Sequence, residues 1–383
     1  MRACYPAAAL LAMLSFLSMT AASDAAEPCP KDCPSGQVPL GIAAPLSGSM
    51  TAFGRAAIKA TDLAIKEVND AGGLLGIPVV PVTADDRCDA GRAPAIVRQH
   101  TEEKVGFVIG PACPAVAMDA TPFYAKAGIV QFVPTVTAVE LTERNPDSVF
   151  RMVATDAQEA KALAAYLARE HAGKKVAIVF GEFFYRRAIA KMIDAALSAD
   201  QKKSMRMESL ADVTGAYDRL ADRLKATPPD VIYISLDAPA AAEFVAKLKP
   251  RGIKSLLLGG QHLLSANFWL NYRQAAEAIQ VVVPIESLAN QDFVRAVDVI
   301  HKAGVIPDIV ALSNFAAVQT FAQAVRQAGS GDAKAVIGAL RAGTFKTAVG
   351  NVAFDERGDR REIQYSIMTW KDGLPQPGFP WKP

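Results

Sequence analysis

The sequence has little of what enzyme chemistry usually recruits. Only 4 histidines occur in 383 residues, and His100, His171, His262 and His301 are scattered along the chain. There is no Gly-x-Ser-x-Gly elbow, no phosphate loop ending in Gly-Lys-Ser/Thr and no His-Glu-x-x-His. The familiar routes to hydrolase, nucleotide and zinc-peptidase chemistry are therefore unmarked. No Gly-x-Gly-x-x-Gly follows the first strand pattern, so no cofactor is expected and the chain does not read as an enzyme. Asp85-Asp86 is a carboxylate pair, but a strand end before it and Cys88 after it point to a structural turn. No basic run stands out either. Lys and Arg number 41 against 39 Asp and Glu, a net charge of +2, and nothing asks for nucleic acid.

Long apolar runs are also missing outside the N-terminus, and none reaches the ~20 residues that span a bilayer. Arg2 precedes an apolar stretch from Ala7 to Met19, and small residues follow from Ala21 to Ala26. This pattern predicts a secretory signal over residues 1–25, cleaved between Ala22 and Ala26. Cys29 follows Glu27-Pro28 and lacks the context of a lipid-anchored cysteine, so a free periplasmic protein is expected. Cys4 leaves with the signal, and Cys29, Cys33, Cys88 and Cys113 remain. An even number in an oxidising compartment suggests two disulfides, Cys29–Cys33 and Cys88–Cys113. A metal site is the competing reading of Cys-x3-Cys, and the absence of a nearby histidine weighs against it.

With 51% hydrophobic residues the chain has ample core material, and 383 residues exceed what one core usually holds. Apolar runs and amphipathic stretches alternate from Val38 onward. Strands are predicted at Val38 to Ala43, Pro78 to Ala84, Val105 to Ile109 and Ile129 to Val133, with helices between them. A helix carrying Ala57, Thr61, Ala64 and Val68 on one face stops at Gly72-Gly73. The rhythm restarts at Val149 to Met152 and runs through strands at Val176 to Phe180, Val231 to Ile234, Ser255 to Leu258 and Ile279 to Pro284. Three helices follow, then extended structure from Val349 to Trp370 around a turn at Glu356 to Asp359. Such alternation predicts two α/β units with parallel sheets, which bind ligands beyond the carboxyl ends of their strands. In a two-domain chain that places the site in the cleft between them.

Several motifs follow one another along the chain: Gly41-Ile-Ala-Ala-Pro-Leu-Ser-Gly48 with Ala52-Phe53-Gly54, Ile65-x-x-Val68-Asn69-x-x-Gly72-Gly73-x-x-Gly76, Asp85-Asp86-x-Cys88-Asp89 and Ile109-Gly110-x-x-Cys113. Pro134-x-x-Thr137-x-x-Glu140-Leu141-Thr142, Phe150-Arg151 and Asp156 continue the series. In this order and spacing they resemble the periplasmic branched-chain amino-acid-binding proteins, over about residues 37 to 372. The resemblance implies a type I periplasmic-binding fold, two Rossmann-like α/β lobes joined by three crossovers and closing on ligand by hinge motion. It divides the chain into a lobe of residues 37–155 plus 286–360 and a lobe of 156–285 plus 361–383. It implies a small-molecule carboxylate ligand, a membrane permease of an ABC importer as partner, and a monomer.

Site residues carry over one at a time. In the resembled family the ligand carboxylate is held by the residue after the second disulfide cysteine and by the threonine of the Pro-x-x-Thr loop. Thr137 fills the second place and Thr135 adds a hydroxyl, but Pro114 fills the first and has no N–H. The lost contact then moves to the backbone of Ala115 or Ala117. Phe53 matches an aromatic over the ligand, and Tyr185 matches one from the second lobe, with Phe183 and Phe184 beside it. Ordinary core packing is the competing reading of these phenylalanines.

Gln261 stands where amino-acid binders of the family carry a glutamate for the ligand ammonium. A buried ammonium needs a negative partner. Asp237 matches a cleft-facing position, although a helix N-cap before Ala238-Pro239 is its other reading. His262 is a further residue of the Gln261 loop. If Asp237 pairs with an ammonium, the ligand is an apolar amino acid. If it does not, the ligand is an amine-free acid such as an aromatic acid or a 2-oxo acid, and Pro114 and Gln261 tilt toward this reading. A ligand-sensing receptor can share the fold.

Overall fold

Strand β1, Val38–Ala44, ends in five consecutive buried residues. A strand buried on both faces belongs inside a parallel sheet covered by helices. It lies between β2 (Val79–Asp85) and β3 (Phe107–Ile109), followed outward by β4 (Val130–Val133) and β5 (Val149–Arg151), in the order β2-β1-β3-β4-β5. All four pairings are parallel. The computed structural model describes residues 36–144, 147–181, 184–210, 214–285 and 290–380. The predicted signal peptide and the Cys29–Cys33 pair lie outside the described residues.

A second sheet repeats the winding. Strands β6 (Val176–Gly181), β7 (Met205–Leu210), β8 (Val231–Ser235), β9 (Leu256–Gly259) and β10 (Gln280–Val283) pair in parallel in the order β7-β6-β8-β9-β10. A small antiparallel sheet follows in the chain, β11 (Phe345–Thr347), β12 (Gly350–Phe354) and β13 (Arg360–Arg361). Then β14 (Ser366–Lys371) runs antiparallel beside β10, and β15 (Leu374–Pro380) beside β14. The expected α/β class with two parallel sheets is therefore what the chain adopts.

Helices α1 (Thr51–Asp70), α2 (Ala93–Glu102), α3 (Pro114–Lys126) and the short α4 (Glu140–Glu143) belong to the first winding. Helices α5 (Asp156–Glu170), α6 (Phe184–Ala196), α7 (Ala199–Lys203), α8 (Ala216–Ala226), α9 (Ala238–Leu248) and α10 (Ala266–Ala278) belong to the second. The last three, α11 (Gln291–Lys302), α12 (Ile309–Ala328) and α13 (Ala333–Ala342), follow β10. α12 returns to the first sheet, where Phe321 sets its ring 4.9 Å from Phe107 and 6.1 Å from Phe132. Such a wholly buried phenylalanine is worth about 1.5–3 kcal/mol in area removed from water. Arg326 donates to the Gly73 carbonyl, and Arg295 of α11 pairs with Glu67 of α1.

The chain thus crosses between the sheets after β5, after β10 and after β13. Arg360, 1% exposed, joins these passages. It donates through Nη1 to the carbonyls of Met152 (3.2 Å) and Pro284 (3.0 Å), on the first and second crossings, and through Nη2 to Val349. Arg360 itself begins the third. Ser366 adds a bond to the Ile285 carbonyl, and Gln158 donates to the carbonyl of Arg360. Among the described residues no helix is long and apolar enough to cross a membrane.

Candidate functional site

The loops that leave the carboxyl ends of the first sheet are built around Asp85. One oxygen of Asp85 accepts the Leu46 N–H at 2.8 Å and the other accepts the Ser47 hydroxyl at 2.6 Å. Burial alone would raise this carboxyl, but the Ser47 hydroxyl and the N–H groups of Leu46, Arg87 and Ser47 outweigh it and hold it at about 2. Asp86 is fully buried, and its Oδ1 accepts the Cys88 N–H at 2.8 Å. Both carboxylates therefore organise backbone, in line with a structural turn.

Phe53 lies in the first turn of α1, half-buried, with part of its ring packed on the core. Its neighbour Gly54 explains the close fit of helix and loop, because a Cβ there would sit 1.9 Å from the Pro45 carbonyl oxygen. The Cys88–Cys113 disulfide is formed, with Cα atoms 5.4 Å apart, and it fixes the N-cap residue of α3 to the turn after β2.

Pro114 opens α3, with Ala115 exposed beside it. A helix leaves its first N–H groups without internal acceptors, and here the Cys113 side chain caps none of them. Ala117 already gives its N–H to the Cys113 carbonyl at 2.9 Å, so of the two backbone positions weighed above only Ala115 has an N–H with no acceptor among the described residues. Thr135 is half-buried and donates its hydroxyl to the Ala112 carbonyl at 2.7 Å, so its proton is committed inside the protein. Thr137 is also half-buried, and its carbonyl accepts the Asp156 N–H at 3.1 Å. Its hydroxyl makes no hydrogen bond among the described residues.

Sequence reasoning missed the residue that shapes this loop. Arg151 ends β5 with its side chain wholly buried and pairs with Asp359, Nε to Oδ1, at 2.8 Å. It also donates to the Thr142 hydroxyl (3.0 Å) and to the carbonyl of Val136, between the two threonines. Thr142 closes the ring by donating to Asp359 at 3.0 Å. The signal was an arginine inside the apolar run Val149 to Val153, since a buried guanidinium requires several acceptors.

At the carboxyl ends of the second sheet, Phe184 and Tyr185 open α6, but their side chains lie outside the described part of the structure, as does Phe183 altogether. Asp237 occupies the N-cap position of α9 with extended backbone, yet its side chain makes no cap bond. The residue is half-buried; its carbonyl accepts the Ala241 N–H at 2.8 Å, and its carboxylate has no hydrogen bond or ion pair among the described residues. Gln261 is 4% exposed and donates through Nε2 to the Ala154 carbonyl at 3.4 Å, while Oε1 has no partner among the described residues. His262 is held 2.8 Å from the Leu236 carbonyl by Nε2, which must carry the proton because a carbonyl only accepts. The loops bearing Asp237 and Gln261 are thereby fastened together. No group of His, Cys, Asp and Glu among the described residues could hold a metal ion.

Comparison with known proteins agrees with this architecture. The family model described as a periplasmic binding protein matches residues 37–374. The chain is 28% identical over 338 residues to the Leu/Ile/Val-binding protein BraC3 of Rhizobium johnstonii, covering 88% of this chain and 92% of that one. Among solved structures it is similar to the branched-chain amino acid transporter substrate-binding protein LivJ of Streptococcus pneumoniae in complex with isoleucine, with a TM-score of 0.73, 21% identity, and 89% and 98% of the two chains covered. A solute-binding protein of an ABC transporter from R. palustris, in complex with benzoate, gives a TM-score of 0.71 at 20% identity, covering 89% of this chain and 95% of that chain. The matched span takes in every described strand through β14 and the loops built above, and this chain belongs to the periplasmic binding protein family.

Proposed function

We propose that this chain is the extracytoplasmic ligand-capturing component of an ABC importer. Its ligand is a small amine-free carboxylate with an apolar or aromatic body, an aromatic acid or a 2-oxo acid. It delivers the ligand to a membrane permease and does not transform it. The observation that carries this reading is Gln261, whose neutral side chain is buried with one oxygen unpartnered. An unpaired ammonium beside it would keep its full desolvation cost. Ala115 N–H and the Thr137 hydroxyl are the donors available for the ligand carboxylate, and Phe53 supplies an apolar wall. The benzoate-bound relative of the same fold supports the ligand class.

A second reading rests on Asp237, whose carboxylate makes no cap bond and could meet an ammonium. The Leu/Ile/Val-binding relative supports an apolar amino acid in that case. Calorimetry on unfolded and refolded protein separates the two, with leucine, valine and phenylalanine set against phenylpyruvate, 4-hydroxybenzoate and cinnamate. Binding confined to the amine-free acids is the expected result. Tight leucine binding would transfer the role to Asp237, and silence toward both sets would sink the carboxylate reading.

A further inference from the structure

Two arginines far apart in sequence come together where the third crossover begins, Arg151 by pairing with Asp359 and Arg360 as the residue after it. Arg151 holds the Val136 carbonyl in the loop between Thr135 and Thr137 and pairs with Asp359. The next residue, Arg360, holds Met152 of the first crossover and Pro284 of the second. Both arginines and Asp359 are buried, at 0%, 1% and 1% exposure. A buried ion pair adds little net stability against an apolar replacement, but removing one partner strands a charge. Such a pair fixes geometry more than it adds stability. Guanidinium suits the task because its rigid planar fork holds separated acceptors in fixed directions, a span that the compact ammonium of lysine does not reproduce.

We propose that Arg151, Asp359 and Arg360 form a positioning linkage that joins the loop bearing Thr135 and Thr137 to the three crossovers, so that loop conformation and interlobe freedom are set together. The linkage does not depend on ligand identity. Because Asp359 directly precedes Arg360, the first residue of β13, a shift of the crossovers moves the Arg151 anchor. The coupling is reciprocal, as any equilibrium coupling must be. Ordering of the loop then biases the crossovers as strongly as the crossovers bias the loop.

Native-state amide exchange on the ligand-free protein tests this, because it reads local opening segment by segment. The segments are the loop, 135–142, and the crossovers, 152–155 and 361–365. Rates are taken relative to those of α8, so a general loss of stability cancels. Arg360→Lys is expected to speed exchange in the distant loop as well as in the crossovers, by roughly 2- to 30-fold. Arg151→Lys is expected to speed exchange at 361–365 to a similar degree, and the double variant to fall short of the product of the two effects. Effects confined to each arginine's own segment, or multiplying without interaction, would overturn the proposal. If either lysine variant fails to fold, Asp359→Asn, which keeps the side chain's shape, must loosen both the loop and the crossovers. Loosening of one alone counts against the linkage.

Discussion

One carboxylate oxygen of Asp308 accepts the Ala266 N–H at 2.8 Å, while the other accepts the Ala311 N–H at 2.9 Å. The same side chain therefore caps α12 and takes the first N–H of α10, whose own N-cap is Ser265. α10 packs on the second sheet, where Trp269 stacks on Trp370 of β14, and α12 packs on the first. Burial pushes the Asp308 carboxyl up to about 6, although the N–H groups of Ala266, Ala311 and Val310 favour its anion. A carboxyl raised on folding holds its proton better in the folded state than in the unfolded chain. Its contribution to stability is complete below the ordinary carboxylate range and is lost as pH rises through about 6.

His100 works in the opposite sense. Its Nε2–H donates to the Val82 carbonyl at 3.2 Å, leaving Nδ1 to accept the Tyr124 hydroxyl at 2.8 Å. Burial, against the Val82 bond, pushes this imidazole down to about 4. Its contribution is complete above the ordinary histidine range and is lost as pH falls through about 4. Each group is worth about 3 kcal/mol across its window, so the two slopes nearly cancel between them. Asp308→Asn should then lose stability steadily from pH 6.5 to 4 relative to wild type, and His100→Gln should gain over the same range. Urea unfolding midpoints at four pH values would show this. Parallel profiles for all three proteins would contradict the assignment.

Gly54 makes an unusual prediction for a helical glycine. On an open helix face, alanine would stabilise by about 1 kcal/mol. Here its Cβ meets the Pro45 carbonyl oxygen, which is backbone and cannot swing aside. Gly54→Ala should instead destabilise by about 1–3 kcal/mol and loosen the Ser47–Asp85 contact in the adjoining loop. Chemical denaturation gives the sign directly, and a gain in stability would mean that the loop yields freely.

The disulfide closes a segment with a sequence separation of 25. Converting Cys88 and Cys113 together to serine should cost about 3 kcal/mol on the chain-entropy account, measured by urea unfolding. It should also free the N-cap residue of α3 from the turn after β2. An unchanged midpoint would show that the unfolded chain gains nothing from release of the bridge.

The inner strands were legible because their residues are apolar on both faces, as in β1, β6 and β8. β7 was missed because Arg206 and Glu208 give an edge strand the look of a polar loop. β15 was missed because Pro375, Pro377 and Pro380 suggest a turn, although proline is tolerated where an edge faces solvent. α10 was missed as well, between the two apolar runs that drew attention to β9 and β10. At the site, Phe53, Thr137 and Gln261 were named from motif order. The commitment of the Thr135 proton to Ala112 was not, since a local sequence does not specify which carbonyl folds beside it. The same holds for Arg151, whose partner Asp359 lies 208 residues away.

Gln261→Glu tests the ligand reading most directly. It places a carboxylate where Oε1 is now buried without a partner. In ligand-free protein that anion has lost its hydration, so stability at neutral pH should fall by about 1–3 kcal/mol. A ligand ammonium would offset the loss, because a hydrogen bond to a charged group contributes about 1.5–3 kcal/mol. Leucine affinity should therefore rise by roughly 10- to 100-fold relative to 4-hydroxybenzoate, whose own carboxylate gains nothing from a second anion nearby. Calorimetry with both compounds on the variant and the parent measures the ratio. A ratio that does not move would mean that Gln261 stands away from the position an amino group would take, and the amine-free reading would lose the observation that carries it.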